Sequence, residues 1–193
     1  MQENVHDMTD AEIIEKTLDD QVFFGHIVMR YEEKLSRYMQ RLGVRSREDR
    51  QDVLQEVFIK VYRNLHAFDA TFSFSSWVYR IAHNEAISLY RKKNVRPEGH
   101  LIDEGDDRVF REMASGDGAE ELYDKELNAQ RVQEALEQLE EKYRDVLILR
   151  FFEHMEYEEI SDVLKIPIGS VGTLIHRGKQ RLRKILNTEH LRV

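Results

Sequence analysis

Proline is almost absent from this chain of 193 residues and occurs only at Pro97 and Pro167. Proline lacks the backbone N–H and breaks helices from within, so long stretches without it leave helix formation unopposed. Leu, Glu, Arg and Lys, which favour helices, are common, and runs of β-branched residues are few. These features predict an all-α protein.

Apolar residues recur at spacings of three and four in two blocks of the sequence. In the first block the pattern predicts helices over about residues 9–18, 21–42, 47–66 and 77–93. In the second block it predicts helices over about residues 120–139, 142–154, 156–164 and 168–187. Four sites have the residue types of helix ends: the capping box of Thr9 and Glu12, the closing Gly43, and the N-cap candidates Ser46 and Ser75-Ser76.

An acidic strip separates the two blocks. Residues 98–126 hold eleven acidic and three basic side chains, which matches the net charge of −8 for the whole chain. Periodicity fades there and glycine recurs, so we predict a flexible acidic linker over residues 97–126. The domains predicted around it are an N-terminal extension with a short helix (1–19), a helical domain (20–96), a second helical domain (127–187) and a C-terminal tail (188–193).

Composition excludes several classes of protein. The chain has no cysteine, and no apolar run approaches the ~18 residues of a membrane span. The first residues lack the basic and apolar parts of a signal peptide. No set of converging metal ligands, phosphate-binding glycine loop or catalytic triad is recognisable. We therefore predict a cytoplasmic protein that is not an enzyme, does not insert into membranes, and has no catalytic residues, metal or cofactor.

The stretch from Lys165 to Thr188 contains six Lys and Arg residues and no acid. It follows a short amphipathic segment that begins at Tyr157 and a break at Pro167. The order of short helix, tight turn and longer basic helix predicts a helix-turn-helix that binds DNA. The outer face of the long helix holds five side chains predicted to meet the major groove: Ser170, Thr173, Leu174, Arg177 and Arg181. Lys179, Arg183 and Lys184 are better placed to contact phosphates, which contribute affinity without sequence information. An ordinary solvated amphipathic helix is the alternative.

Aromatic residues are concentrated where the fourth predicted helix begins. Three phenylalanines lie between Phe68 and Phe74, and Trp77 and Tyr79 follow. Aromatic rings beside Ser, Asn and Arg suit the capture of unstacked bases, because stacking supplies ~1–3 kcal/mol per base. The basic run that begins at Arg91 could hold the nucleic-acid backbone. The alternative is that these rings form the core of a small helical domain.

Two sets of motifs resemble bacterial sigma factors. The segment Asp52–Phe58 (DVLQEVF), followed by Phe74–Asn84 (FSSWVYRIAHN), is similar to sigma region 2. Residues 145–150 (DVLILR), 157–160 (YEEI) and 166–171 (IPIGSV) are similar to region 4, with its helix-turn-helix. The presence of these two regions alone, joined by a variable linker, resembles the extracytoplasmic-function (ECF) group of the sigma-70 superfamily.

The resemblance implies a role in transcription initiation. The chain would dock on the beta-prime clamp and beta subunits of core RNA polymerase through Asp52, Gln55, Glu56, Phe58 and Lys60. It would melt the −10 promoter element and trap flipped bases of the non-template single strand with Phe72, Phe74, Ser75, Ser76, Trp77, Arg80, His83, Asn84, Arg91 and Lys92. It would contact duplex promoter DNA at the −35 element with Ser170, Thr173, Leu174, Arg177, Lys179 and Arg181. An anti-sigma factor is a usual further partner of the resembled group.

Three positions depart from the resembled pattern. Gly172 replaces a common Lys, Leu174 replaces a common Arg, and Ser88 replaces the usual acid near the end of the fourth helix of the first domain. The first two changes remove charge from the base-facing surface, so we predict a weak or unusual −35 preference. The third leaves the −10 preference open.

Two other functions remain open from the sequence. A free-standing helix-turn-helix regulator would bind DNA without polymerase, but it leaves Asp52–Phe58 and the aromatic junction unexplained. A degenerate sigma factor that serves as a protein-interaction scaffold gains support from Gly172 and Leu174, but the basic residues within 177–184 and the intact aromatic junction count against it. The linker also has three interpretations: a tether, a nucleic-acid mimic in a polymerase channel, or a shield for the basic helix.

Overall fold

In the computed structural model, the described residues are 8–94 and 130–190. Within these ranges all regular structure is helical, which confirms the all-α prediction. They form two compact units, one built mainly from residues 8–94 and the other mainly from residues 130–190. The predicted linker (97–126), the first half of the helix predicted over 120–139, and the ends of the chain lie outside the described residues. No helix of the described part is both long and apolar enough for a membrane span.

The first unit contains four α-helices and two short 3₁₀ turns. In chain order these are α1 (Asp10–Asp19), a 3₁₀ turn (Gln21–Phe23), α2 (Phe24–Arg41), α3 (Arg47–Asn64), a 3₁₀ turn (Leu65–Ala67) and α4 (Phe74–Asn94). The helix that was predicted to start at Gln21 therefore starts three residues later as an α-helix. The 3₁₀ turn takes its place, because the Asp20 side chain accepts a hydrogen bond from the Val22 amide and caps that turn.

Most helix ends of the first unit follow the predicted caps. Thr9 and Glu12 form the reciprocal capping box, and the Ser46 hydroxyl accepts a hydrogen bond from the Asp49 amide at 3.4 Å. Gly43 follows α2 with a φ of 104°, the left-handed conformation that glycine adopts without strain.

The cap predicted for α4 is wrong. The helix begins at Phe74, so Ser75 and Ser76 lie in its first turn. Ser73 takes the capping position, since its hydroxyl accepts from the Ser76 amide at 3.4 Å. Three serines in four residues can all cap a helix, and the burial of Phe74 selects the earliest of them.

The core of the first unit lies between α2, α3 and α4. α3 packs against α4, and the buried positions of the helices follow the periodicity of the sequence. The most deeply buried apolar side chains of these helices are Ile27, Leu35, Tyr38, Met39, Val57, Val61, Val78, Ala82 and Ala86. Ala82 and Ala86 leave room for close helix packing. α1 adds Ile13 and Ile14 to the core and lies beside the turn Leu65–Ala67.

The second unit contains helical residues 130–137 (α5), α6 (Glu141–Phe151), α7 (Tyr157–Leu164) and α8 (Ile168–His190). Its buried apolar residues include Leu136, Val146, Ile148, Leu149, Ile160 and Val171. The turn between α7 and α8 passes through Lys165, whose φ of 54° is left-handed. The Ser161 hydroxyl donates to the Ile166 carbonyl at 2.7 Å and closes this turn.

The prediction that α6 extends to His154 is wrong. The amides of Phe152 and Glu153 both bond to the Ile148 carbonyl, at 2.9 and 3.2 Å, and the Met155 amide bonds to the Leu149 carbonyl. His154 then adopts a left-handed φ of 55°. These bonds turn the chain back on itself, and sequence periodicity does not reveal them because they depend on backbone groups alone.

Candidate nucleic-acid interface

The exposed side of α3 carries three of the residues predicted to dock on polymerase. Asp52, Gln55 and Glu56 are exposed, and their spacing of three and four places them on one side of the helix. Lys60 is also exposed, with its Nζ 2.5 Å from the Glu85 carboxylate on α4. Phe58 is buried and faces the core, so it supports this surface from beneath.

An aromatic cluster surrounds the start of α4. The ring centroids of Phe68 and Phe74 are 5.2 Å apart, and Trp77 lies 5.2 Å from Phe68 and 5.7 Å from Phe74. Phe74 is buried at 6% exposure, Phe68 and Trp77 are half-buried, and Phe72 is 52% exposed. The cluster is therefore anchored in the core at one end and open to solvent at the other.

The predicted −10 residues divide into buried and accessible groups. Ser76 and His83 are buried, and a ring nitrogen of His83 lies 2.9 Å from the Tyr38 hydroxyl. Burial argues against direct base contacts by these two side chains and by Phe74. The accessible side chains of the set are Phe72, Ser75, Trp77, Arg80, Asn84, Arg91 and Lys92.

Four of these accessible residues form a stripe along α4. Trp77, Arg80, Asn84 and Arg91 follow one another at spacings of three, four and seven residues, which places them on one side of an α-helix. The stripe begins beside the aromatic cluster and ends at the basic run. Ser88, where the resembled pattern has an acid, is exposed within the same stripe.

The α7–α8 pair has helix-turn-helix geometry, with a short helix, a left-handed turn and a long helix. Val171 and Ile175 of α8 are buried, as the predicted core face requires, whereas Leu182 and Ile185 are only half-buried. Of the predicted −35 residues, Thr173, Arg177, Lys179 and Arg181 are exposed, and Ser170 and Leu174 are half-buried.

Two of the cations on α8 lie against α6 or its start. Arg181 forms an ion pair with Glu140, and its guanidinium lies 4.5 Å from the centre of the Tyr143 ring. The Lys179 Nζ lies 5.8 Å from the ring of Phe151. The hydrogen bond from Lys142, with the charge of Arg181 adding to it, lowers the pKa of the Glu140 carboxyl. In order to bind a phosphate, Arg181 must therefore either break its ion pair with Glu140 or bind both groups at once.

The start of α7 lies close to α8 at Gly172. A Cβ atom at this position would lie 3.3 Å from Cε2 of Tyr157. The ring of Tyr157 is 39% exposed, and the Arg150 guanidinium lies 5.5 Å from its centre. Arg150 is held by the Met155 carbonyl at 2.8 Å and the Glu156 carboxylate at 3.0 Å. The Tyr157 ring therefore covers the surface of α8 beside Gly172.

Sequence reasoning missed Tyr157, His176 and Gln180 as members of this surface. His176 and Gln180 are exposed, and their side chains approach to 3.0 Å. Together with Thr173 and Arg177 they occupy the side of α8 opposite the buried Val171 and Ile175. The spacing of three and four is visible in the sequence, but the predicted DNA-contacting set was chosen mainly for Lys and Arg and did not include these side chains.

Gly178 is a poor helix former, but its lack of a side chain matters for packing between α8 and α6. A Cβ atom there would lie 3.2 Å from two carbons of Leu147 and 3.3 Å from the Tyr143 carbonyl oxygen. The glycine therefore allows α8 to approach α6 closely. Among the residues the structure describes, no group of three or more His, Cys, Asp or Glu could hold a metal ion.

The described part of the chain thus consists of a helical unit with an aromatic, partly basic face and a second unit with a helix-turn-helix. The family model for sigma-70 region 2 matches residues 27–96, and the model for sigma-70 region 4 matches residues 129–182. The chain belongs to the sigma-70 family of RNA polymerase sigma factors, in its ECF group.

Curated relatives agree with this membership, and two solved structures share the fold. The chain is 34% identical to the ECF sigma factor SigW of Bacillus subtilis, over 86% of this chain and 90% of that protein. It is 31% identical to the ECF sigma-E factor of Escherichia coli K12, over 91% and 93% of the two chains. CnrH, solved with the cytosolic domain of CnrY, shares the fold at a TM-score of 0.68 and 23% identity, with 93% of this chain and 97% of CnrH covered. The sigma factor RpoE of Bartonella quintana, solved with the anti-sigma factor NepR, shares it at 0.64 and 18% identity, with 85% and 96% covered.

Proposed function

We propose that this sigma factor docks on core RNA polymerase through α3, opens the −10 element with the aromatic end and stripe of α4, and contacts the −35 element with α8. The stripe of Trp77, Arg80, Asn84 and Arg91 is the observation that carries the proposal. It joins an aromatic surface to cations along one helix side. Core packing by itself does not require an accessible tryptophan in line with two arginines on the outer side of the helix.

The energetics of melting fit the exposed rings of the first unit. Each base that stacks on an aromatic side chain gains ~1–3 kcal/mol, which is comparable to the few kcal/mol required to unpair and flip it. Phe72 and Trp77 present such rings, and Arg80, Asn84 and Ser75 offer polar groups beside them. Binding energy for the open strand therefore drives melting, and this chain needs no catalytic group of its own.

The second unit is suited to backbone contacts more than to base reading. Thr173 and Arg177 project from the side of α8 opposite the core and are the best candidates for base edges, with Ser170 and Leu174 beside them. Lys179 and Arg181 lie further along and suit phosphates. With Gly172 and Leu174 uncharged, we propose that sequence discrimination at −35 is weaker than at −10.

The main partners proposed are core RNA polymerase, through its beta-prime clamp and beta subunits, and promoter DNA, which place the chain in the cytoplasm. We also propose an anti-sigma factor as a further partner. Support comes from the similarity to RpoE, which was solved with the anti-sigma factor NepR, and to CnrH, which was solved with a domain of CnrY.

Reconstitution with core polymerase tests the proposal. The measurements are core affinity, run-off transcription from a duplex promoter, and run-off transcription from a heteroduplex whose −10 region is already open. Core binding with promoter-specific transcripts is expected. DNA binding without core binding would favour a free-standing regulator, and core binding without transcripts would favour a scaffold.

A further inference from the structure

The N-terminal helix α1 is connected to the start of α4 through Tyr31 of α2. Asp10, the first residue of α1, accepts a hydrogen bond from the Tyr31 hydroxyl of α2 through one carboxylate oxygen. Its other oxygen lies 2.7 Å from the Arg30 guanidinium, which also donates to the Met8 carbonyl at 2.6 Å. The Asp10 carboxylate is therefore held by Arg30 at one oxygen and by Tyr31 at the other.

Tyr31 carries this connection to the residues that begin α4. Its ring contacts Phe74, the first residue of α4, edge to face at 5.8 Å between centroids. Burial, with the hydrogen bond to the Asp10 carboxylate adding to it, raises the pKa of the Tyr31 phenol, so the group stays protonated and donates to Asp10. Tyr31 therefore packs against the Phe74 ring at the first turn of α4.

Phe74 connects Tyr31 to Trp77, one of the two rings proposed to capture bases, and to Phe68 beside it. It contacts Phe68 and Trp77, and α1 itself lies beside the turn Leu65–Ala67 that leads into Phe68. The segment from Phe68 to Phe74 is therefore supported at both ends. α1 lies beside the turn that precedes Phe68, and Tyr31 contacts Phe74. Such support has a physical use, because a stacking surface that is already ordered loses less entropy when a base binds.

We infer that Asp10 and Tyr31 are positioning residues for −10 melting, acting through Phe74 to hold Trp77 in the orientation that accepts a flipped base. The inference rests on the proposed function. It assigns the N-terminal extension a role in promoter opening, although neither residue needs to touch DNA.

Trp77 itself reports on the first half of this inference, because it is the chain's only tryptophan. Its emission and its quenching by acrylamide can be measured in the full-length protein without polymerase. Asp10→Ala and Tyr31→Phe are both expected to increase quenching of Trp77. This readout remains informative even if the proposed function fails, so the two failures are distinguishable.

Melting is tested with holoenzyme on two templates. Tyr31→Phe is expected to slow open-complex formation on duplex promoter by roughly fivefold or more, since a buried hydrogen bond to a charged group is lost. On the heteroduplex with an open −10 region, and in core affinity, the variant should match the wild type. Asp10→Ala should act in the same way, and the double variant should be no slower than the slower single variant, because both changes break one line of contacts.

Tyr38→Phe is the matched control. Tyr38 is a buried tyrosine of the same helix α2, and its hydroxyl bonds to His83 in the middle of α4 rather than to the first turn. The Tyr38→Phe variant should lower the melting temperature by about as much as Tyr31→Phe does. Its Trp77 quenching and its ratio of duplex to heteroduplex activity should remain those of the wild type. The inference is overturned if Tyr38→Phe reproduces the defect of Tyr31→Phe, if the Tyr31 and Asp10 defects add fully, or if heteroduplex and duplex activity fall together.

Discussion

The two proposed DNA surfaces are built in opposite ways. At the start of α4 the recognition rings continue into the core, through Phe74 and the packed edges of Phe68 and Trp77. On α8 the exposed groups project from the side of the helix opposite the core, and two cations lie against α6 or its start. We therefore expect the first surface to discriminate by stacking and shape, and the second to supply mainly charge.

This difference determines whether each surface should respond more to changes in packing or to changes in charge. A surface continuous with the core transmits changes in packing to DNA binding, so buried residues such as Tyr31 become relevant to it. A surface on an outer helix side responds to charge and depends on the core only through the angle of the helix. The following predictions, in order of decreasing effect, test that contrast.

Trp77→Ala should cause the largest loss. Removing the ring forfeits stacking of ~1–3 kcal/mol per base, which corresponds to roughly 5- to 150-fold slower open-complex formation on duplex promoter. Stopped-flow measurement of promoter opening checks this. Met29→Ala, which truncates an exposed apolar residue on α2, is the control and should not change the rate. Equal rates for Trp77→Ala and wild type would remove the proposed stacking role.

Gly178→Ala should destabilise the second unit, although alanine is the better helix former. The added methyl group would meet Leu147 and the Tyr143 carbonyl, and overpacking of this kind costs ~1–3 kcal/mol. Thermal unfolding followed by circular dichroism measures the effect. Gly169→Ala is the matched control, because nothing lies within 4 Å of its added Cβ. It should leave stability unchanged or raise it, and a rise for both variants would show that α8 is not closely packed at Gly178.

Gly172→Lys should strengthen contact with −35 DNA without restoring strong sequence preference. One added phosphate contact raises the slope of log affinity against log salt by roughly one. The Tyr157 ring must shift by a few tenths of an ångström to admit the Cβ, so the gain is partly offset. Fluorescence anisotropy of duplex −35 DNA across a salt series measures the slope. An unchanged slope would place position 172 away from the DNA.

Glu140→Gln should have the smallest effect. It removes the carboxylate that pairs with Arg181, so the guanidinium becomes available to a phosphate and duplex affinity should rise slightly. The same anisotropy assay at low salt detects the change, because exposed ion pairs contribute little and are screened. Glu158→Gln, which removes another exposed acid of the same unit, is the control for charge alone. Equal gains from both variants would mean that Arg181 is not restrained by Glu140.

The helical framework could be predicted from the sequence because its signals are local. Thr9 with Glu12, Ser46 and Gly43 marked helix ends that the structure confirms. The start of α4 and the end of α6 were wrong, since several serines competed for one cap and backbone bonds around Ile148 closed the other helix early. The helix-turn-helix followed from the order of short helix, break and longer basic helix, whereas the polar residues of α3 were singled out by the resemblance to sigma region 2.

The candidate site was less predictable. Motif spacing identifies which residues occur near the aromatic junction, but it does not say which of them face solvent. Ser76 and His83 turned out to be buried, and Tyr157, His176 and Gln180 joined the surface of the second unit. Exposure depends on how neighbouring helices pack, and that is set by side chains far away in the sequence.

The sequence by itself determined that this chain is helical, carries two sigma-type regions and places an aromatic junction and a basic helix in them. Helix periodicity, caps and motif spacing act over a few residues, so they can be seen in one dimension. Only the tertiary structure decided that Tyr31 meets both Asp10 and Phe74, or that Gly178 lies close to Leu147. Those contacts join residues up to 43 positions apart (Tyr31 to Phe74), and they exist because packed helices bring distant side chains into contact with each other.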